Sequence, residues 1–144
     1  MTFDETEFDA FLEDITEPFL TADITQWAAR MRLPFTLITQ TGPVTLRTPQ
    51  EVKANFEHYL LAMKAMQANL IVREKIGFEP CEDGTVIATY RSNFLRNGVR
   101  IRDPYTASAL LHFDDGQWRM SSILNALGHH LWTGKHPNLS GEEE

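Results

Sequence analysis

Asp103 stands close to two tyrosines and a serine in predicted strand pairing, and that grouping is where this chain could do chemistry. Three strand-like runs, 85–96, 99–113 and 118–125, are separated by Asn97-Gly98 and Asp115-Gly116. Asn-Gly and Asp-Gly supply the positive φ angles of a two-residue type I′ turn, so the runs are predicted to form antiparallel hairpins of defined register. A two-residue loop at Asn97-Gly98 pairs Phe94 with Ile101, Ser92 with Asp103 and Tyr90 with Tyr105. An aspartate drawn into an apolar cavity has its pKa raised by desolvation and becomes a candidate general base or acid. Tyrosine hydroxyls beside it are candidate donors to a developing enolate or oxyanion. Asp103 is therefore the catalytic candidate. The competing reading puts it at a projecting hairpin end, because Asp-Pro favours turns.

The elements that must position these groups follow from the same pairing. Val86, Ala88, Tyr90, Ser92, Phe94, Ile101, Asp103, Tyr105, Ala107, Ala109, Leu111 and Phe113 fall on one face, which is taken as the core. The second hairpin adds Trp118, Met120, Ser122 and Leu124 to that face. Thr89, Arg91, Thr106, Ser108 and His112 fall on the opposite, polar face. Pro104 marks an edge or bulge. One uncompensated bulge would turn Ala107, Ala109 and Leu111 outward, so either none or a compensated one is expected.

Upstream, Phe8, Phe11, Leu12 and Ile15 recur at helical spacing until Pro18. Asp23 with Gln26 opens a short second helix carrying Trp27 and Met31. A short hairpin follows, with residues 35–39 and 44–47 joined at Gly42-Pro43. Thr48, Pro49 and Glu51 then start a long helix through about Gln67, with an apolar stripe of Val52, Phe56, Tyr59, Leu60, Met63 and Met66. Leu70, Val72, Ile76 and Phe78 alternate as the next strand. The domain reading is one unit over 3–132, with 133–144 a mobile tail.

This order resembles the nuclear transport factor 2-like superfamily, which includes the SnoaL-like proteins, over roughly residues 8–127. Two local signatures carry the resemblance: the Trp27 helix followed by Leu33-Pro34-Phe35, and the ending Phe113-Asp114-Asp115-Gly116-Gln117-Trp118-Arg119-Met120. It implies an α+β cone, in which a curved, mainly antiparallel sheet wraps round the long helix behind two shorter N-terminal helices. It also implies an apolar pocket at the open end and, in many members, a homodimer. Members include isomerases, dehydratases, cyclases, epoxide hydrolases and non-catalytic modules, so the fold alone does not assign function. The enzyme patterns match poorly. Residues 33–40 hold no carboxylate, His58 and His112 are not expected to face inward, and Asp103 has no second inward aspartate.

Composition bounds the rest. The chain has 144 residues, 42% of them hydrophobic, enough for one domain with a core. A net charge of −7 argues against a nucleic acid partner. Cys81 is the single cysteine, so neither an intramolecular disulfide nor a cysteine-rich metal site is expected. No apolar run spans a bilayer and no secretory signal is visible, which makes the cytoplasm the expected compartment. Eight acidic residues fall in the first 29, while five of nine arginines (Arg91, Arg96, Arg100, Arg102 and Arg119) fall in the closing strands. Solvated faces account for both, with attraction across a subunit contact as the sharper reading. His129, His130 and His136 lack a carboxylate or cysteine at ligand spacing, so no metal and no cofactor is expected. Trp132 is a candidate pocket cover or partner contact.

The expected function is binding of a small apolar metabolite, with Trp27, Tyr59, Tyr90, Ser92, Tyr105 and Met120 as ligand contacts. The alternatives are a cofactor-free isomerase, cyclase or dehydratase using Asp103 for proton transfer, and a non-catalytic dimeric subunit of a larger assembly. The homodimer is expected through the polar sheet face.

Overall fold

The computed structural model describes residues 2–39 and 42–125. Helix α1 (Glu5–Thr16) starts where the Asp4 side chain accepts from the Glu7 N–H, and it buries Phe8, Phe11, Leu12 and Ile15. Pro18 does not merely end it. Proline is tolerated at a first helical position, and here it opens a further turn, α2 (Pro18–Thr21), stopped by Ala22 in the left-handed region. Asp23 caps α3 (Ile24–Ala28), which holds Trp27. Met31 is not on that helix, as the spacing had implied: it is the first residue of β1 (Met31–Thr39).

Strand β1 pairs antiparallel with β2 (Gly42–Leu46). Helix α4 (Pro49–Met66) begins at Thr48, whose side chain accepts from the Glu51 N–H, and it buries Val52, Phe56, Tyr59 and Met63. Its 18 residues span about 27 Å. The remaining strands are β3 (Leu70–Pro80), β4 (Val86–Arg96), β5 (Val99–Arg100), β6 (Tyr105–Asp114) and β7 (Gln117–Asn125). The sheet runs β2-β1-β7-β6-β4-β3, with β5 on β4. Among the described strands only the β1–β7 pair is parallel. The result is an α+β cone: a curved, mostly antiparallel sheet whose inner face meets α4 and the N-terminal helices. One core joins Phe8, Phe11, Trp27, Phe35 and Phe56 to Ala88, Tyr90, Ala109, Leu111 and Met120. A smaller cluster of Met63, Ile71, Phe94 and Tyr105 lies beside it.

Both type I′ turns form, with Asn97, Gly98, Asp115 and Gly116 all at positive φ. Register beyond the first turn differs from expectation. Arg96 pairs with Val99, and the Ile101 N–H donates to the Phe94 carbonyl as expected. Pairing then resumes with Ser92 opposite Tyr105 rather than Asp103, and Tyr90 opposite Ala107 rather than Tyr105. Residues 102–104 have left the ladder, where Pro104 has no N–H to give it. The shift is two residues, an even number, so Tyr105, Ala107, Ala109 and Leu111 still face the core.

Two single-residue bulges have the opposite effect. On β7, Leu111 pairs with Met120 but Leu110 pairs with Ser122, leaving Ser121 over. Ser122 and Leu124, assigned to the core face, therefore lie outside it, and Ile123 and Asn125 are buried instead. On β3 the ladder shifts between Lys75 and Gly77. Before that bulge Ile71 points inward while Leu70 and Val72 are exposed, reversing the expected phase; after it Phe78 packs on the core. Phe113 is also exposed, although its ring packs edgewise on Trp118.

Three of the N-terminal acids, Glu5, Asp9 and Asp14, form ion pairs within the chain. Lys75 contacts Glu5 and Asp9 at 2.7 and 2.9 Å, and Arg30 meets Asp14 at 2.8 Å. His129, His130, Trp132, His136 and the 133–144 tail lie outside the described residues, as does part of the 3–132 domain reading.

Candidate functional site

A cavity of about 40 Å³ lies between α4 and the inner face of the sheet. Capping and helical phase put Tyr59 and Met63 of α4 on its wall, and α3 supplies Trp27. From the sheet come Tyr90 and Phe94 of β4 and Tyr105 of β6, which their even spacing places on one face. The bulges contribute as well: they turn Ile71 and Arg73 of β3, and Ile123 and Asn125 of β7, toward the same space.

Four of the expected ligand contacts, Trp27, Tyr59, Tyr90 and Tyr105, thus come together on one wall. Ser92 is fully buried just behind it, where its Oγ accepts from Arg73 Nη1 at 2.6 Å. Met120 is not on the wall: it packs in the core opposite Met31 and Leu111. Asp103 is not there either. It is exposed in the segment that leaves the ladder, its backbone carbonyl accepting from Arg102 Nε at 3.3 Å. The Arg102 guanidinium lies over the Tyr105 ring at 5.4 Å, and burial lowers its pKa.

Arg73 is the charged wall residue that sequence reasoning missed, because the alternation of Leu70 and Val72 assigned it to solvent. Gly77, a glycine within a strand, was the available signal of a bulge. The guanidinium is held on three sides. Nε donates to Thr16 Oγ1 at 2.8 Å, Nη1 to Ser92 Oγ and Nη2 to the Ile15 carbonyl at 3.1 Å. It also lies over the Tyr90 ring at 5.7 Å.

Burial, reinforced by Tyr105, pushes Tyr90 up to about 12 even though Arg73 acts to lower it. Burial raises Tyr59 further, with Tyr105 adding to the effect. Both phenols are therefore protonated donors near neutrality rather than bases. The indole Nε1–H of Trp27 is buried without a hydrogen-bond partner. Among the described residues the wall carries no carboxylate and no histidine, and no group of three or more His, Cys, Asp or Glu is placed to hold a metal ion. No helix among them is long and apolar enough to cross a membrane. Chemically, this arrangement offers donors and aromatic surface rather than a base.

No family model matches this chain, and no curated protein matches it in sequence. Its architecture has counterparts among solved structures. A cystatin-like domain of unknown function from Nostoc punctiforme superimposes with a TM-score of 0.66 at 16% identity, over 87% of this chain and 77% of that one. Aln2 from a Streptomyces species gives 0.64 at 17% identity, over 83% and 87%. A nuclear transport factor 2-like protein of unknown function from Shewanella oneidensis gives 0.60 at 11% identity, over 83% and 96%. The fold is nuclear transport factor 2-like. In that fold the wall just described occupies the concave side of the sheet, with α4 across it, and the exposed loop carrying Asp103 lies off it.

Proposed function

We propose that this nuclear transport factor 2-like chain is a small-molecule binding protein, and that its ligand occupies the cavity of Trp27, Tyr59, Tyr90 and Tyr105. One observation carries the reading: Trp27 Nε1–H is buried on a mainly apolar wall with no partner. An unmet buried donor costs about 1–3 kcal/mol, which a ligand acceptor would recover. The cavity of about 40 Å³ is far below the several hundred Å³ of a drug-sized site. A ligand therefore enters by displacing adaptable side chains, Met63 among them.

The proton-transfer alternative has less support, because Asp103 is outside the cavity and no other carboxylate among the described residues replaces it. A homodimer through the outer sheet face is part of the proposal. Thr89 Oγ1 and Ser108 Oγ lie 2.8 Å apart on that face, with the exposed side chains of Ile87 and Leu124 also on it.

The test is a fluorescence and thermal-shift screen of small amphipathic compounds against the wild-type chain and Tyr90→Phe. A saturable change of unit stoichiometry that Tyr90→Phe alters is the expected result. Hits that bind while leaving Trp27 unperturbed by NMR would overturn the assignment of the site.

A further inference from the structure

Arg73 is the charged residue on the wall, and none of its hydrogen bonds goes to a carboxylate. A guanidinium has five N–H donors. Thr16 Oγ1, Ser92 Oγ and the Ile15 carbonyl take one each, which leaves one on each terminal nitrogen. The surroundings fix the group rather than neutralise it. Thr16 donates its own hydroxyl proton to the Leu12 carbonyl at 2.6 Å, so toward Arg73 it acts as an acceptor. The nearest acid on β3, Glu74, faces the other way, toward Asn93 and Arg91. The cation is therefore oriented by three neutral oxygens and lacks an ion-pair partner among the described residues.

A second polar group on the wall, the Trp27 indole, points to the same ligand chemistry. Trp27 Nε1–H can only donate. A wall that presents a fixed cation and an unmet N–H donor complements an anionic acceptor. Paired N–H groups of a guanidinium match the two oxygens of a carboxylate in particular. The cavity of about 40 Å³ also suits a head group rather than a whole metabolite.

We propose that the site selects small amphipathic carboxylic acids, with the acid group on Arg73 and the hydrocarbon part against the aromatic wall. This rests on the binding reading above and adds the chemical class of the ligand. Ser92 is then a positioning residue, since it holds Nη1 from behind.

The experiment is a titration of ¹⁵N-labelled full-length chain with straight-chain acids from butanoate to decanoate, and with the primary amide of each. NMR signals of Arg73 Nε–H and Trp27 Nε1–H are followed, with affinities from calorimetry. The expected result is that at least one acid moves both signals and binds about tenfold or more tightly than its amide, as a charge-assisted hydrogen bond predicts. Arg73→Gln should remove that preference, with Arg73→Met as the second variant if the first fails to fold. Equal binding of acid and amide, or a preference that survives loss of Arg73, overturns the acid inference while leaving the binding reading intact. If no acid or amide moves either signal at millimolar concentration, both fall.

Discussion

Two charged side chains exchange roles between sequence and structure. Asp103 has the right type for acid–base chemistry and the wrong place; Arg73 has the place. An exposed aspartate outside any buried network contributes little to stability. Asp103→Asn should therefore shift unfolding free energy by no more than about 0.5 kcal/mol and leave ligand affinity unchanged. Denaturant titration with calorimetry checks this, and a tenfold loss of affinity would restore Asp103 to the site. His112 offers a second test at this scale. Its Nδ1 meets Arg32 and its Nε2 lies 2.7 Å from Ser121 Oγ, so the ring is neutral, with Nε2–H the donor. Burial first, and Arg32 second, lower its pKa below the ordinary 6.5. The unfolded chain then binds the proton more readily. The stabilisation is present above pH 6.5 and is lost as pH falls through the lower folded value. Urea midpoints at pH 8 and pH 5.5 should differ more for wild type than for His112→Gln; an equal difference would mean that this ring is not responsible.

Among the elements, the N-terminal helices are tied to the sheet through Arg30. Its Nε donates to Asp14 Oδ2 on α1, its Nη1 donates to the Trp118 carbonyl on β7 at 2.8 Å, and its guanidinium lies over the Phe11 ring. Asp14→Ala removes the counter-charge of a buried arginine. Because Asp14 keeps about a third of its side chain in water, the expected loss is about 1–3 kcal/mol rather than the larger cost of a fully buried pair. Thr48→Ala should cost about 1 kcal/mol by uncapping α4. Chemical unfolding measures both, and a neutral Asp14→Ala would show Arg30 to be held by packing alone. What was legible at this scale follows from local chemistry. Caps at Asp23 and Thr48, the stripe on α4 and both type I′ turns are written in adjacent residues, and they carry Trp27, Tyr59, Tyr90 and Tyr105 to the inner side of the sheet, although Tyr105 lies opposite Ser92 rather than Tyr90. The bulge at Ser121 is not so written, and the one at Ile76 is hinted at only by Gly77, because a bulge is decided by how a strand meets its partner and the curvature of the sheet. Each reverses the side-chain phase beyond it. That is why Arg73, Ile123 and Asn125 were missed and why Leu70, Val72, Ser122 and Leu124 were misplaced. Asp103 was lost differently, to a two-residue excursion that preserves the faces on either side of it.

At the scale of the whole molecule, the inner face of the sheet is packed and, among the described residues, the outer face has nothing laid across it. That face carries a hydroxyl pair, Thr89 with Ser108, and the side chains of Ile87 and Leu124, 39% and 49% exposed respectively. Such a face suits a self-complementary contact, in which each residue meets the same patch across a two-fold axis. A stable contact needs roughly 800 Å² from each partner, and six strands side by side at about 4.8 Å spacing provide that area. The expected mass in solution is therefore twice 16.5 kDa. Ser108→Glu places a charge from each copy within the proposed contact, where like charges brought out of water repel strongly. In a monomer the same substitution sits on a solvated strand and costs little. Light scattering at micromolar concentration should show the variant at the mass of one chain, with unchanged circular dichroism and unchanged ligand affinity, because the cavity opens on the opposite side of the sheet. A wild-type chain that already runs as one copy would remove the dimer while leaving the cavity and Arg73 untouched, and a variant that remains dimeric would move the contact to another face.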